Sequence, residues 1–345
     1  MTKPKAIDLF CGCGGLTQGL RDAGFYVIAG VENEPLAVKS FRFNHRKTKV
    51  WNKNIDEITP EAMMERHGLE EGDLDLLAGC PPCQGFSSIR RLNGKRKIHD
   101  KRKDLVFRFV DFVETMMPKV IMMENVPRLT EDHRMVQKVI PKLRKLGYIG
   151  KPRIFNAADF GVPQRRRRMI YVASRIGEID YASPIPKEER GTVRQAIQAL
   201  ALPGDSGDAI HDFPESRSKA VMDIIRCIPK DGGSRRNMPE KYQLKCHKKK
   251  NTGFKDVYGR MAWDDVSPTI TGGCINPSKG RFLHPQQDRA ITLREAALLQ
   301  SFPQDYVFPL DRGKYAVGLI IGNAFPPKFA EPHARKIVVA LKGLK

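Results

Sequence analysis

The feature that most constrains this chain is an apolar strand that ends in a glycine-rich turn and passes at once into a helix. Residues 6–10 form an apolar run, Gly12, Gly14 and Gly15 follow, and a helical pattern begins near Leu16. Glycines let the backbone turn sharply and approach a ligand, while a helix N-terminus attracts a carboxylate or phosphate. The chain is therefore expected to begin with a strand–turn–helix unit whose turn binds a ligand.

The same alternation of strand and helix patterns continues through the first 175 residues. Strands are predicted over 6–10, 26–31, 75–78, 120–123 and 169–173, and helices over 16–23, 35–43, 105–117 and 136–146. Short apolar strands that alternate with helices predict an α/β fold with a doubly wound sheet. From about 177 to 285, glycine, proline and charged residues increase, which predicts a second, smaller, loop-rich domain. We expect a first domain over 1–178, a second over 179–288, and a return to the first over 289–345.

The charge of the chain favours a polyanionic partner. Net charge is +21 and the pI is about 9.8, which favours nucleic acid first and an anionic membrane surface second. Basic residues cluster near 95–103, 165–168 and 245–250, although any one cluster also fits a solvated face. No apolar run reaches 18 residues, so no membrane span is predicted, and no secretory signal is recognised. The odd number of cysteines, seven, favours reduced thiols and a cytoplasmic protein.

A loop with a thiol follows the third predicted strand. Prolines and glycines flank Cys83 within 79–87, at a strand end where α/β sites lie, so Cys83 is a candidate nucleophile. Two alternatives stay open: an inert buried thiol, or a metal site in which Cys80 and Cys83 join Cys11 and Cys13. Because no Cys or His pair has the spacing of a conventional finger, we expect no metal.

Three further positions suit a catalytic or cofactor site. Glu32 ends the second strand about twenty residues after Gly12, where an acid can bind a ribose diol, although a chance acid beside a tight turn is the alternative. The spacing is not GxGxxG, so a nucleoside cofactor is favoured over a dinucleotide. Glu124 ends the strand that follows the thiol loop, where partial desolvation suits proton donation. Gln164, Arg166 and Arg168 alternate and would share one face of an extended segment, unless they form only a surface charge run.

Together these motifs resemble the DNA cytosine-C5 methyltransferases of prokaryotic type. The resemblance includes the Phe-x-Gly-x-Gly turn, Pro-Pro-Cys-Gln-Gly-Phe-Ser at 81–87, Glu-Asn-Val at 124–126 and Gln-x-Arg-x-Arg at 164–168. Residues 289–303 resemble the ninth motif of the family and 322–327 the tenth. The unassigned stretch at about 180–280 suits its variable target-recognition domain. The resemblance therefore implies a Rossmann-like methyltransferase fold with that smaller domain.

The resemblance also implies chemistry and a cofactor. Cys83 would add to C6 of a cytosine flipped out of the duplex, Glu124 would hold and protonate N3, and Arg166 would help to bind the base. S-adenosyl-L-methionine would donate the methyl group and leave as S-adenosyl-L-homocysteine. Residues implied to contact this cofactor are Phe10, Gly12, Gly14, Glu32, Asn54, Ile55, Leu105, Asn323 and Ala324. The family usually has Asp where this chain has Asn54, and in some members an aromatic residue where it has Asn33.

Implied partners follow from the same resemblance. Double-stranded DNA is the expected substrate of a monomeric enzyme, with a cognate restriction endonuclease as an open possibility and a nucleoid-associated location in a prokaryote. Residues implied to contact DNA or support its site are Gln84, Ser87, Lys95, Arg96, Lys97, Asn125, Gln164 and Arg168. Two rival functions remain: an RNA cytosine-C5 methyltransferase, or a catalytically silent DNA-binding protein with the same fold.

Overall fold

The computed structural model describes residues 2–82, 105–243 and 256–343. Within these residues, eight strands form one sheet. They are β1 (Lys5–Leu9), β2 (Tyr26–Glu32), β3 (Lys49–Asn52), β4 (Leu76–Gly79), β5 (Val120–Asn125), β6 (Ile149–Gly150), β7 (Arg153–Asn156) and β8 (Arg167–Ser174). The α-helices are α1 (Gly15–Asp22), α2 (Pro35–Asn44), α3 (Pro60–His67), α4 (Leu105–Met116), α5 (Ile140–Lys145), α6 (Val193–Ile197), α7 (Lys219–Cys227), α8 (Leu293–Leu299), α9 (Gly313–Asn323) and α10 (Pro327–Lys342).

The sheet has the order β3-β2-β1-β4-β5-β8-β6, and β7 also pairs with β8. Strands β1 to β5 are parallel to one another, whereas β8 runs antiparallel to β5. The carboxyl ends of β1, β2, β4 and β5 therefore lie along one edge, where ligands of open α/β sheets bind. The prediction of a doubly wound α/β sheet is confirmed.

The predicted strands and helices are present with small shifts of their end residues, and several other elements were not predicted. Strand β3, helix α3 and the short strands β6 and β7 were not anticipated. The helix predicted over 136–146 is interrupted: Met135–Val139 forms a π-helical turn before α5 begins. Pro141 at the start of α5 supplies no backbone N–H, which accounts for a break in the hydrogen-bond pattern there.

A buried apolar cluster joins the sheet to α4. Ile7 and Leu9 of β1 pack in one cluster with Phe109 and Phe112 of α4, and all four side chains are fully buried. Each such side chain contributes about 1.5–3 kcal/mol by its removal from water. The burial of β1 fixes the position of the turn that follows it.

The last helix packs against the first. A Cβ atom on Gly19 of α1 would lie 2.6 Å from Cβ of Ala330 in α10, so only glycine permits this approach. Arg335 of α10 also donates a hydrogen bond to the carbonyl of Asp22 at 3.0 Å. The end of the chain therefore belongs to the same layer as its beginning.

The chain divides into two compact units. Unit 1 comprises Met1–Phe160, Arg167–Pro184 and Phe325–Lys345, and unit 2 comprises Gly161–Arg166 and Ile185–Ala324. The sequence analysis placed 289–324 with the first domain, whereas the structure groups these residues with unit 2. The reason is that α8 packs against both α6 and α9, so the chain rejoins unit 1 only at Phe325.

Unit 2 is organised around a buried arginine as well as a small apolar cluster. Arg260 is fully buried and donates hydrogen bonds to the carbonyls of His284 at 2.7 Å and Ile225 at 3.1 Å. Its charge is matched by Asp288 at 3.0 Å. The apolar cluster around it includes Ile225 and Leu283. A single guanidinium thus satisfies carbonyls from separate segments of unit 2.

Among the described residues, no helix has the length and apolar character needed to cross a membrane.

Candidate active site

The turn after β1 adopts a backbone that favours glycine. Gly12 and Gly14 have φ values of 55° and 98°, and Phe10 also lies in the left-handed region at 61°. The Cys11 amide donates to the carbonyl of Val31 at 3.0 Å, which ties the turn to the end of β2. A Cβ atom on Gly12 would meet no atom within 4 Å, so one side of the turn is open. The turn therefore leaves space for a ligand beside its backbone.

Glu32 lies directly beside this turn. Its Oε2 accepts a hydrogen bond from the Gly12 amide at 2.9 Å, and its Oε1 accepts from the amides of Asn33 and Glu34 at 2.9 and 2.8 Å. Burial raises the pKa of the carboxyl, and the three hydrogen bonds oppose that rise. A carboxylate offers about four acceptor positions, so one remains for a hydroxyl donor. The half-buried carboxylate and the open turn fit a ribose-bearing cofactor.

A second carboxyl lies beneath the turn. Asp8 of β1 is fully buried, and its Oδ2 accepts a hydrogen bond from Thr17 Oγ1 of α1 at 2.6 Å. Its Oδ1 has no hydrogen-bond partner among the described residues. Burial raises the pKa of Asp8 to about 7, and nearby Glu32 contributes to the rise. Sequence reasoning missed this residue, although a lone acid within an apolar strand was a usable signal.

The chain that leads to Cys83 is fixed at two points. At the end of β4, a Cβ atom on Gly79 would lie 2.6 Å from the carbonyl oxygen of Leu9, and the Cys80 amide donates to that carbonyl at 3.2 Å. Two residues before Cys83, the carbonyl of Pro81 accepts a hydrogen bond from Asn125 Nδ2 at 2.9 Å. These contacts determine where the chain leaves the sheet.

Part of the predicted site lies beyond this point. The candidate nucleophile Cys83 and the candidate DNA contacts of the same stretch lie outside the described residues. Those contacts are Gln84, Ser87, Lys95, Arg96 and Lys97.

The Asn125 side chain makes hydrogen bonds to two segments of backbone at the end of β5. While its Nδ2 donates to Pro81, its Oδ1 accepts from the Val126 amide at 2.8 Å, and the side chain is 3% exposed. Asn125 therefore joins the end of β5 to the chain that follows β4. It contributes structural contacts in addition to the DNA-site role that the sequence suggested.

The structure brings Glu124 and Arg168 together. Arg168 Nε lies 2.9 Å from Glu124 Oε1, and the two side chains are 17% and 11% exposed. The antiparallel pairing of β5 with β8, in which Glu124 opposes Ile170, places this arginine beside the carboxylate. A largely buried guanidinium–carboxylate pair thus lies at the edge of the sheet where β5 ends.

Gln164 and Arg166 donate hydrogen bonds to other residues of unit 2. Arg166 is 3% exposed and donates to the carbonyls of Ile270 and Gly322 at 3.1 and 3.2 Å. Gln164 is fully buried, donates to Gln300 Oε1 at 2.7 Å and accepts from the Ile270 amide at 2.9 Å. These two side chains hold segments of unit 2 together. The contacts of Gln300, which the sequence analysis missed, could not be read from spacing along the chain.

The remaining predicted cofactor residues divide between the two units. In unit 1, Ile55 is buried, Leu105 packs on the apolar cluster, and Asn54 accepts a hydrogen bond from the Asp56 amide at 3.2 Å. In unit 2, Asn323 is the exposed last residue of α9 and Ala324 follows it, largely buried. Asn54 therefore uses its side-chain carbonyl to cap a short 3-10 helix, Ile55–Glu57.

A family model described as C-5 cytosine-specific DNA methylase matches residues 4–339. The chain belongs to this family. This C-5 cytosine-specific DNA methyltransferase is similar to the Type II methylase M.HgiDII of Herpetosiphon aurantiacus, with 36% identity over 98% of this chain and 96% of the relative. It is also 32% identical to the Type II methyltransferase M1.HphI of Haemophilus parahaemolyticus, over 96% of this chain and 86% of the relative. The resemblance drawn from the motifs is confirmed.

Solved structures support the fold of the methyltransferase. A candidate DNA modification methyltransferase encoded within a prophage of E. coli aligns with a TM-score of 0.74 and 22% identity, over 98% of this chain and 99% of the other. The Dnmt2 methyltransferase of S. pombe aligns with a TM-score of 0.59 and 16% identity, over the full length of both chains. At these identities the likeness concerns the fold alone.

Proposed function

We propose that this methyltransferase transfers a methyl group from S-adenosyl-L-methionine to C5 of a flipped cytosine in a specific duplex sequence, through a covalent adduct with Cys83. The Glu124–Arg168 pair carries this proposal. The pair lies at the end of β5, and the neighbouring Asn125 anchors Pro81, two residues before Cys83. The carboxyl of Glu124, the guanidinium of Arg168 and the chain that leads to Cys83 therefore lie near the end of the same strand.

The chemistry assigns one task to each side chain. The Cys83 thiolate forms a bond to C6, and the electron pair of the C5–C6 double bond becomes available at C5 for attack on a methyl group. Glu124 protonates N3 and so stabilises the negative charge that the addition places on the ring. After transfer, a base removes the C5 proton. The C5–C6 double bond then re-forms as Cys83 leaves as the thiolate, and N3 returns its proton to Glu124.

Arg168 suits the role that the sequence analysis gave to Arg166. Its guanidinium contacts Glu124, orients the carboxyl, and adds positive charge that favours a thiolate nearby. Arg166 instead donates to two carbonyls of unit 2. We therefore expect Arg168→Lys to lower kcat strongly with little change in melting temperature. Arg166→Lys should lower the melting temperature first, and the opposite pattern would restore Arg166 as the catalytic arginine.

The cofactor is proposed to bind at the turn after β1. Bound there, S-adenosyl-L-methionine supplies an electrophilic methyl group on sulfur. Glu32 would accept a hydroxyl of its ribose, and the open side of Gly12 would admit the ligand close to the backbone. Phe10, Ile55 and Leu105 supply apolar surface in the same unit. Asn54, Asn323 and Ala324 remain proposed contacts on the strength of the family resemblance.

Partners and location are proposed on the same basis. Unit 2 would read the recognition sequence, since base contacts in the grooves carry specificity. The relatives carry the names of Type II methyltransferases, which supports a cognate restriction endonuclease as a partner. A monomer in the cytoplasm, associated with the nucleoid in a prokaryote, completes the proposal.

Nucleoside mass spectrometry tests the reaction, the substrate and the nucleophile together. Mixed genomic DNA and, separately, RNA are incubated with cofactor and either wild-type protein, Cys83→Ala or Cys80→Ala. The Cys80 variant is a matched control, because it removes a thiol three positions away. We expect 5-methyldeoxycytidine with wild type and Cys80→Ala on DNA only. Methylated RNA alone would correct the substrate, and unmodified DNA with a folded, cofactor-binding protein would favour the silent DNA-binding function.

A further inference from the structure

Unit 1 carries an exposed basic surface at the edge of the sheet opposite to the candidate active site. We call it the basic face. It is formed by the outer side of α2, the turn after it and the first residue of β3, and its members are exposed. They are Lys39, Arg42, Phe43, Arg46, Lys47 and Lys49. We propose that the basic face binds the phosphodiester backbone of a second segment of duplex DNA, without sequence preference.

The basic face lies in a stretch of sequence without acidic residues. Residues 35–53 contain six lysines and arginines and no Asp or Glu. Within the described parts of the chain, Arg42, Arg46, Lys47 and Lys49 form no ion pair. Elsewhere in unit 1, exposed cations do find carboxylates: Lys119 lies 2.7 Å from Asp75, and Lys142 lies 2.7 Å from Glu114. Adjacent unmatched cations repel one another, and a polyanion relieves that repulsion.

Two histidines near the basic face, buried His45 and half-buried His67, have neighbouring cations. His45, at the C-terminal end of α2, has its pKa lowered to about 3, first by burial and then by Arg21. His67 has its pKa lowered by burial and then by Lys49 and Arg66. In both cases the neighbouring charges add to the effect of burial. Of these neighbouring cations, Lys49 belongs to the basic face.

The composition of the basic face favours nucleic acid. Phe43 is 46% exposed and lies among the cations on the outer side of α2, opposite buried residues such as Val38 and Phe41. The adjacent cations suit the phosphate backbone of nucleic acid. α2 is capped at its start by Glu34, whose side chain accepts from the Leu36 amide, so the face is presented on a defined helix.

The position of the basic face separates it from the target cytosine. Thr48 Oγ1 donates to the carbonyl of Val27 at 2.8 Å, which holds the turn near the start of β2. Glu32 ends the same strand five residues later, which at about 3.3 Å per residue is about 17 Å away. The contacts of this face would therefore add to those made at the carboxyl edge. They would raise the time that the enzyme spends on DNA between recognition sites.

The test measures how salt weakens binding of the full chain to a labelled random-sequence duplex. The variant replaces three cations of the face: Arg42→Gln, Arg46→Gln and Lys47→Gln. Each lost phosphate contact should reduce the slope of log K against log salt by about 0.9, so we expect a reduction of about 2–3. An unchanged slope would overturn the proposal, as would loss of binding to phosphatidylserine vesicles while DNA binding stayed unchanged.

A charge-matched control separates the face from the net charge of the protein. Lys142→Gln, Arg144→Gln and Lys145→Gln remove the same three charges from α5, in the same unit. We expect this control to leave the slope near that of wild type, and equal reductions in both variants would overturn the proposal. At saturating genomic DNA, the face variant should methylate with the kcat of wild type. If no protein methylates DNA while the slopes differ as stated, the proposed function fails and this inference stands.

Discussion

Asn125 offers the sharpest test of how the candidate active site is held together. Its side chain is nearly fully buried, donates to the Pro81 carbonyl at 2.9 Å and accepts from the Val126 amide at 2.8 Å. Asn125→Ala leaves both backbone groups without this partner, and each unsatisfied buried group costs about 1–3 kcal/mol. We therefore expect the free energy of unfolding to fall by about 2–6 kcal/mol. Asn125→Asp keeps an acceptor for Val126 but places an oxygen against the Pro81 carbonyl.

The catalytic effect should exceed the effect on stability. Pro81 lies two residues before Cys83, and displacement of a reacting group by about 1 Å costs about 100-fold in rate. Urea unfolding and kcat at saturating cofactor are measured for both variants. Asn44→Ala is the matched control, since Asn44 Nδ2 likewise donates to a backbone carbonyl, that of Ser40, at 2.7 Å. The reasoning is refuted if Asn125→Asp keeps the kcat of wild type, or if Asn125→Ala is no less stable than the control.

Three further predictions concern packing, charge and pH. Gly79→Ala places a Cβ atom 2.6 Å from the Leu9 carbonyl oxygen, so the urea midpoint should fall by the equivalent of about 1–3 kcal/mol; an unchanged midpoint would show that β4 can shift. Arg260→Met leaves Asp288 and several carbonyls without their buried partner, and urea unfolding should show a loss of about 3–5 kcal/mol, with a loss below about 1 kcal/mol counting against its structural role. Burial raises the pKa of Asp8 from 3.8 to about 7, so the ionised form opposes folding. Wild-type stability should fall by up to about 4 kcal/mol from about pH 4 to pH 7, and Asp8→Asn should remove that fall in unfolding measured across this range.

Local patterns were enough to predict the central sheet. Strands β1, β2, β4 and β5 are short apolar runs, and the glycine turn marks where β1 ends and α1 begins. Burial on both faces gives such strands a continuous apolar sequence, which is visible without any partner. The edge elements lack this signal. β3 has lysine and asparagine at its ends and no fully buried residue, so its sequence resembles a loop.

Helix α3 was missed although its ends carry usable signals. The Thr59 side chain accepts from the Ala62 amide, Pro60 occupies the first helical position, and Gly68 ends the helix in the left-handed conformation. Only Pro60 and Met63 are buried, so apolar periodicity could not reveal the helix. Capping residues were the better signal here.

The candidate site could be predicted as a set of residues but not as a set of contacts. The sequence placed Gln164, Arg166 and Arg168 on one face, which treats both arginines alike. The structure separates them, because Arg168 pairs with Glu124 through the register of β8 on β5, whereas Arg166 contacts carbonyls of unit 2. Register between distant strands is fixed by tertiary packing, which spacing along the chain does not encode.

The contact between Gly19 of α1 and Ala330 of α10 has a consequence for folding during synthesis on the ribosome. The two residues are about 300 positions apart, and synthesis proceeds at about 5–20 residues per second. The surface of α1 that α10 covers therefore remains exposed for about 15–60 seconds before α10 is synthesised. During this interval the emerging chain carries an uncovered helix face, and the last helix acts as the closing step of folding.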